Sequence, residues 1–264
     1  MSKLITRSLS GSVYVAVLFA AIWFNNFYTF ILFGLFLSLG LHEFFKLTGI
    51  SKRLIPLALI INLGLYVLLN QLWFHSYILF LFIPIILLFS QAILSPKVEQ
   101  PIRQIGLCLM PLFYLALPFT FGVRMPFATD EGFRPEVLFG LFILIWSNDT
   151  FAYLIGSAIG KRKLIERVSP NKTWEGSIGG AICTLFIGFL LQNFWPMPQA
   201  FAWPLLAILI GIFGTLGDLV ESVLKRSAGV KDSGTIMPGH GGILDRLDSF
   251  VFASPVVYLT LNLI

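Results

Sequence analysis

Residues 200–226 read AFAWPLLAILIGIFGTLGDLVESVLKR, an apolar run that ends in charged side chains. The run approaches the roughly 20 residues that an α-helix needs to cross about 30 Å of hydrocarbon. Asp218 lies within the apolar part, where a carboxylate costs about 2.5–3.5 kcal/mol on insertion scales and therefore needs a reason. The stretch predicts a membrane helix that carries functional groups at one end.

Similar apolar runs recur along almost the whole chain. Of its 264 residues, 57% are hydrophobic and 12% are charged, whereas a soluble domain has about 25% charged residues. The runs are continuously apolar rather than alternating, which favours helices over a β-barrel. We therefore expect an all-α, polytopic integral membrane protein with about nine transmembrane helices. The predicted spans are 8–24, 27–42, 54–73, 75–95, 104–122, 136–158, 177–195, 200–220 and 249–264.

The positive charges alternate between the gaps that separate these spans. Sixteen of the 18 Lys and Arg residues fall on one side, and only Arg124 and Arg134 fall on the other. By the positive-inside rule, this pattern predicts a cytoplasmic N-terminus and a C-terminus outside. The net charge of +5 is then mostly a topology signal, and nucleic-acid binding is not needed to explain it.

Two predicted spans contain polar residues at positions that lipid should exclude. The sixth contains Asn148, Asp149 and Thr150. At the end of the eighth, four polar residues follow the i, i+3, i+4, i+7 spacing of one helix face, namely Asp218, Glu221, Ser222 and Lys225. An internal bridge between Glu221 and Lys225 is an alternative explanation for that pair, because i,i+4 ion pairs are common.

The loop from Gly229 to Asp248 combines glycines, basic residues and carboxylates. Glycines allow backbone amides to approach an anion closely, and Lys231 and Arg246 supply charge suited to phosphate. Asp245 and Asp248 are spaced i, i+3, so both face one site if the ninth helix begins near residue 243. Together these features predict a hard divalent ion such as Mg²⁺. His240 has no His or Cys partner at ligand spacing, which favours loop packing or a phosphate contact.

A second polar segment lies between the sixth and seventh spans. It contains Lys172 and Thr173, which are candidate phosphate contacts, while the charges of 161–163 are explained by topology. Basic groups that hold anionic substrates, beside carboxylates that hold a metal ion, predict phosphoryl or nucleotidyl transfer at the membrane surface.

The polar C-terminal part of the chain contains the segments SVLKR at 222–226, KDSG at 231–234 and PGHGGILDRLD at 238–248, and further upstream NDTFAY at 148–153, SPNKT at 169–173 and EG at 175–176. Together these segments resemble the signature of the phosphatidate cytidylyltransferases (CDP-diacylglycerol synthases). The resemblance implies the reaction of CTP with phosphatidate to give CDP-diacylglycerol and pyrophosphate, with Mg²⁺ and a monovalent cation such as K⁺. It also implies a multi-pass protein of the cell inner membrane, a homodimer, and an active site that faces the cytoplasm.

Joined to this resemblance, the residues take predicted roles. Residues 1–264 form one transmembrane domain, in which 1–135 serve mainly as scaffold and lipid-facing surface and 136–264 carry the catalytic site. The predicted catalytic residues are Asp149, Lys172, Asp218 and Asp245. The predicted metal ligands are Asp218, Asp245 and Asp248. The predicted phosphate-binding residues are Thr173, Ser222, Lys225, Arg226, Lys231, His240 and Arg246.

Two other functions are consistent with parts of the pattern. A CTP-dependent polyprenol kinase would transfer the γ-phosphoryl group and release CDP. A transporter would use Asp149 and Asp218 as an ion path, but the sequence shows no inverted repeat or paired broken helices, and the Gly-rich loop would have no use.

Overall fold

The computed structural model describes residues 3–70, 81–129, 132–197, 199, 202–237, 239 and 241–263. Within these residues the chain forms ten α-helices and one small sheet. The helices are α1 (Lys3–Phe24), α2 (Asn26–Thr48), α3 (Ile55–Asn70), α4 (Phe82–Leu94), α5 (Pro101–Pro111), α6 (Leu117–Arg124), α7 (Pro135–Ile159), α8 (Trp174–Phe194), α9 (Ala202–Ser227) and α10 (Leu244–Leu261).

Several helical segments are long and apolar enough to cross a membrane, which confirms the mostly helical, multi-span class. Five such segments occur in the described residues: Asn26–Thr48, Pro101–Phe127, Pro135–Ile159, Trp174–Phe194 and Ala202–Ser227. Shorter apolar helices are Ser8–Phe24, Ile55–Asn70 and Phe82–Leu94. The count of nine spans and the orientation of the termini stay predictions. The junction predicted between the spans 54–73 and 75–95 falls within residues 71–80, which are outside the described residues.

One β-hairpin between α7 and α8 interrupts the otherwise helical fold of the described residues and was not predicted. Strand β1 (Lys163–Ile165) pairs antiparallel with β2 (Ser169–Thr173), and Lys163 lies opposite Thr173. The segment is polar and contains too few apolar residues to form a helix with an apolar face that packs on the bundle. The hairpin therefore forms an extended polar connection that projects Lys172 toward the neighbouring helices.

The second predicted span ended at residue 42, but α2 continues to Thr48. It begins after Asn25, whose Oδ1 accepts a hydrogen bond from the Phe27 N–H at 3.0 Å. It ends at Gly49, whose φ of 67° is the left-handed conformation typical of helix C-termini. The extra turns place Glu43 inside the helix and bury it.

The segment Pro101–Phe127 is helical throughout but irregular in its middle. After Pro111, residues Leu112–Ala116 form a π-helical turn before α6 begins. Proline lacks the backbone N–H that would continue the hydrogen-bond ladder, and such interruptions favour a local change of helix type. Asn62 of α3 ties this segment to the bundle, because its Nδ2 donates to the Cys108 carbonyl at 3.1 Å.

Helices α7 to α10 pack successively against one another, α7 on α8, α8 on α9 and α9 on α10. Small residues permit this close approach, as in many membrane bundles. At Gly217 of α9, an added Cβ would lie 2.4 Å from the Asp248 carbonyl oxygen of α10. The two backbones are thus nearly in contact beside Asp218, and the helices that carry the polar residues converge at one level.

Candidate active site

The polar residues of α7 lie on one face near its C-terminal end. Asp149, Ala152, Tyr153 and Gly156 follow helical spacing and line the same cavity. Asn148 is buried, and its Oδ1 has no hydrogen-bond partner in the described structure. This face of α7 forms the wall of the cavity opposite α9 and α10.

The β-hairpin is held in place by side chains at the start of α8. The Glu175 carboxylate accepts hydrogen bonds from the backbone N–H groups of Lys161 at 3.0 Å and Arg162 at 3.1 Å. Thr173 is the N-cap of α8, and its Oγ1 accepts from the Gly176 N–H at 3.2 Å. Because both ends of the hairpin are fixed, Lys172 is held above α9 rather than in solvent.

Lys172 and Asp218 meet across the cavity. The Lys172 Nζ lies 2.6 Å from Asp218 Oδ2, with the two side chains 24% and 29% exposed. Ser222, one turn further along α9, donates from its Oγ to Asp218 Oδ1 at 3.3 Å. The pair joins two segments that are distant in sequence, and both groups remain partly open to the cavity.

Lys225 lies beneath this pair and is enclosed by two carboxylates. Its Nζ contacts Glu221 Oε2 and, at 2.6 Å, Asp245 Oδ1. The internal Glu221–Lys225 bridge is therefore confirmed, and Glu221 is completely buried. The geometry favours a role for Lys225 in neutralising buried carboxylates over the phosphate contact predicted from the sequence.

Asp245 is the most fully bonded carboxylate of the signature loop. Besides Lys225, its Oδ2 accepts from the backbone N–H groups of Ser233 and Gly242, each at 2.8 Å, and lies 2.9 Å from Ser233 Oγ. Burial alone would raise the pKa of the Asp245 carboxyl, but these hydrogen bonds and the Lys225 charge outweigh it and lower the pKa below its usual range. Asp245 is thereby kept ionised and held in one orientation.

A cavity of about 610 Å³ collects most of the predicted site residues. Those lining it are Asp149, Lys172, Thr173, Asp218, Asp245, Arg246 and Asp248, together with residues that the sequence analysis did not assign a role, such as Lys163, Ser169, Asn171 and Thr215. Ser222 and Lys225 lie behind its wall. Arg226 is exposed, and its Nη1 donates to the Val230 carbonyl at 2.8 Å, which supports the turn after α9.

A second cavity of about 540 Å³ lies in the Gly-rich loop. Lys231 and Arg246 line it, with Asp232 and several glycines. Arg246 also lines the larger cavity, so a single guanidinium borders both spaces. His240 and Pro238 of this loop lie outside the described residues.

The carboxylates fit a magnesium site in chemical type. Asp149, Asp218 and Asp248 all line the larger cavity and lie close enough for their charges to interact. No group of three or more His, Cys, Asp or Glu side chains forms a ready coordination shell within the described part of the chain. Mg²⁺ commonly uses one or two carboxylates, several waters and substrate phosphates rather than an all-protein cage. Asp218 and Asp248 are the residues that would hold it. Asp218 also contacts Lys172 and Ser222, and Asp248 accepts from the Ser249 N–H, but Asp245 is more fully bonded, with Lys225 on Oδ1 and the backbone N–H groups of Ser233 and Gly242 on Oδ2.

Glu43 is the residue that the sequence analysis missed. It lies just beyond the predicted end of the second span, and its carboxylate reaches the N-terminus of α10. A longer second span would have placed an acidic residue at membrane depth, which is the signal that identifies such positions. Because the predicted second span ended at residue 42, Glu43 fell in the gap that follows it and was not considered as a buried carboxylate.

We expect Lys225→Met to reduce the free energy of unfolding by about 3 kcal/mol, because it leaves Glu221 buried without its counter-ion. The thermal unfolding midpoint of the purified protein in detergent measures this effect. Arg226→Met is the matched control, since it removes the neighbouring charge and one exposed hydrogen bond, worth about 1 kcal/mol. Unchanged stability of Lys225→Met with a raised KM for a nucleotide substrate would instead restore the phosphate-binding role.

The fold and the cavity define a class, a polytopic membrane protein with carboxylates and basic side chains gathered in one cavity between its last four helices. The chain belongs to the cytidylyltransferase family, whose pattern matches residues 5–264. It is therefore a nucleotidyltransferase, and the resemblance seen in the signature segments is confirmed.

Individual relatives carry one shared name. A Staphylococcus saprophyticus protein called phosphatidate cytidylyltransferase is 39% identical over 229 residues, which cover 85% of this chain and 83% of that protein. The Bacillus subtilis protein of the same name is 42% identical over 161 residues, covering 61% of this chain and 59% of the relative. A Staphylococcus epidermidis protein of that name is 45% identical over 156 residues, or 58% of each chain.

Proposed function

We propose that the protein is a phosphatidate cytidylyltransferase that converts CTP and phosphatidate to CDP-diacylglycerol and pyrophosphate. The observation that carries the proposal is the Lys172–Asp218 pair in a cavity that also holds Asp149, Asp248 and Arg246. Family membership and the shared name of the relatives support the nucleotide and lipid substrates. The cavity joins cationic groups that bind phosphates to carboxylates that bind a metal ion.

The reaction requires one bond to form and one to break at the α-phosphorus of CTP. A phosphatidate oxygen attacks this phosphorus, and the bond from it to the bridging oxygen of the β-phosphate breaks, which releases pyrophosphate. The attacking oxygen is already anionic near neutral pH, so a strong general base is not required. Lys172 and Arg246 orient the phosphate groups by charge.

Asp218 and Asp248 would hold Mg²⁺, which would offset negative charge on the phosphates. Asp149 lines the same cavity, and its carboxylate adds to the negative charge there. Asp245, fixed by Lys225, Ser233 and Gly242, maintains the geometry of the loop. A monovalent cation such as K⁺ beside the divalent ion is part of the same proposal.

We also propose that the lipid substrate reaches the cavity from the bilayer. Tyr153 and Gly156 line the cavity, and Tyr153 is 74% exposed on the surface of α7. An exposed aromatic residue beside a polar cavity is suited to the boundary between acyl chains and headgroups. The polar headgroup of phosphatidate would then enter while its acyl chains remain in lipid.

The proposed location is the cell membrane, with nine spans, a cytoplasmic N-terminus and a cavity that faces the cytoplasm, where CTP is available. The distribution of basic residues supports this orientation. Labelling with an impermeant thiol reagent, after Lys46→Cys or Arg134→Cys, tests it, since the two positions should lie on opposite sides. A homodimer is proposed from the family resemblance, and light scattering of the detergent-solubilised protein tests that state.

One assay with two labels tests the proposed activity. Purified protein in detergent is incubated with Mg²⁺, phosphatidate and CTP labelled at either the α- or the γ-phosphorus. We expect the α-label to move to the lipid and the γ-label to leave as pyrophosphate. In a parallel incubation with a polyprenol in place of phosphatidate, transfer of the γ-label to the lipid would indicate a kinase. No turnover with either lipid and any divalent ion would revive a transport function.

A further inference from the structure

Glu43 of α2 is a buried carboxylate far in sequence from the signature loop. Glu43 is only 2% exposed, and its carboxylate makes three polar contacts. Oε1 accepts a hydrogen bond from the Ile243 N–H at 3.0 Å, and Oε2 accepts from the Leu244 N–H at 3.0 Å and from Ser233 Oγ at 2.9 Å. Both carboxylate oxygens thus accept hydrogen bonds, from the Gly-rich loop and from the start of α10.

Helix α10 depends on this carboxylate because it has no cap of its own. Ile243 occupies the N-cap position and offers no side-chain oxygen to the first backbone N–H groups. Such N–H groups are costly when buried without acceptors, and a negative charge at a helix N-terminus is favourable. Glu43 supplies both the acceptors and the charge from a different helix.

The loop is shaped to let the carboxylate in. An added Cβ at Gly242 would lie 2.4 Å from Glu43 Oε2, and one at Gly234 would lie 2.4 Å from Oε1. Only glycine at these two positions leaves space for the carboxylate between the loop and α10. The backbone of the loop is therefore packed directly around Glu43.

Ser233 connects Glu43 to the cavity. Its Oγ lies 2.9 Å from Glu43 Oε2 and 2.9 Å from Asp245 Oδ2, so the hydroxyl bridges the two carboxylates. Asp245 begins the turn of α10 that also carries Arg246 and Asp248, and all three line the larger cavity. Any shift of the helix start would therefore move these groups relative to Asp218 on α9.

We propose that Glu43 is a positioning residue for cytidylyl transfer, which fixes the start of α10 so that Arg246 and Asp248 face Lys172 and Asp218 correctly. The proposal rests on the proposed function. Glu43 touches no substrate and acts through the loop and the first turn of α10. Placement errors of this kind reduce the rate of the chemical step more than the binding of substrates.

Glu43→Gln tests the proposal, because the amide keeps the size of the side chain and replaces one acceptor oxygen with a donor. We expect kcat per folded molecule to fall about tenfold, with the KM values for CTP and phosphatidate changed less than about twofold. A purely structural role would reduce the yield of folded protein and leave kcat per folded molecule unchanged. Glu136→Gln, which removes a carboxylate paired with Arg134 before α7, is the control and should keep the wild-type kcat.

A double-mutant cycle adds a second readout. Ser233→Ala should also lower kcat, and combining it with Glu43→Gln should give about the loss of the slower single variant, because the Ser233 hydroxyl is the group that links Glu43 to Asp245. If the two decreases in kcat multiply in the double variant, the two residues do not act through a shared contact, which would contradict the proposal. A wild-type kcat for Glu43→Gln, with the wild-type enzyme active, would contradict it as well.

A third measurement does not depend on activity. Hydrogen exchange of the Ile243 and Leu244 amides should be at least about tenfold faster in Glu43→Gln, while exchange in α7 stays unchanged. Unchanged exchange at those amides would overturn the positioning role. If the wild-type protein transfers no cytidylyl group, the proposed function is overturned. The exchange measurement would still show whether Glu43 fixes the start of α10, because it does not depend on activity.

Discussion

Asp218→Asn should lower kcat for cytidylyl transfer by about 10³-fold, the size of effect seen when one charge-stabilising group is removed from a reaction centre. The amide keeps the shape of the side chain and its contact with Ser222, but it removes the negative charge that faces Lys172. It would also remove a ligand for the proposed divalent ion. Turnover of CTP labelled at the α-phosphorus, measured on purified protein in detergent, checks this expectation.

The variant should still insert in the membrane, because replacing a half-buried carboxylate by an amide lowers the cost of burial. Recovery from the membrane fraction and a single symmetric peak in size exclusion would show this. Glu99→Gln is the matched control, since Glu99 is an exposed carboxylate in the connection between α4 and α5. Full activity in Asp218→Asn would remove Asp218 from the reaction centre.

Lys172→Met should lower kcat/KM for CTP by about 10²-fold. Lys172, like Lys163, is a hairpin cation that lines the cavity, and its loss leaves Asp218 without its ion-pair partner at 2.6 Å. Both effects disfavour an approaching triphosphate, the first by removing attraction and the second by adding repulsion. Lys172→Arg should recover part of the rate, since it retains the charge with a different donor geometry.

Lys161→Met gives the comparison for this experiment. It removes the same charge from the same connection, but its side chain does not line the cavity, and its backbone N–H still donates to Glu175. Equal losses in the two variants would mean that only the overall positive charge of the connection matters. A loss confined to Lys172→Met would support a local contact with substrate phosphates.

The helical elements were largely predictable from sequence, and the hairpin was not. The apolar runs identified α7, α8 and the start of α9 to within a few residues, because the transfer free energy of each side chain is a local property. The polar last turns of α9, from residue 221 to Ser227, lay beyond the predicted end of that span. β1 and β2 have few residues and no apolar alternation, so their pairing depends on the contacts of Glu175 and Thr173 with neighbouring backbone. Such contacts carry no periodic signal.

Within the candidate site, the sequence predicted which residues gather but not how they pair. Asp149, Lys172, Asp218, Asp245, Arg246 and Asp248 line one cavity, as their types and spacing together with the family resemblance suggested. Lys225 was assigned to phosphate and instead lies between Glu221 and Asp245. The Glu221 contact follows the i,i+4 spacing within α9, whereas the Asp245 contact follows from the approach of α9 and α10, which no spacing rule contains.

The run at residues 200–226 by itself determined a membrane helix with Asp218 at its polar end, because hydrophobic length and the cost of a buried charge are properties of the segment alone. Only the tertiary structure decided that Asp218 meets Lys172 from the hairpin, that Asp245 is occupied by Lys225 and the loop, and that Glu43 holds the start of α10. Buried charges must find partners, and which partners are within reach depends on how distant helices pack.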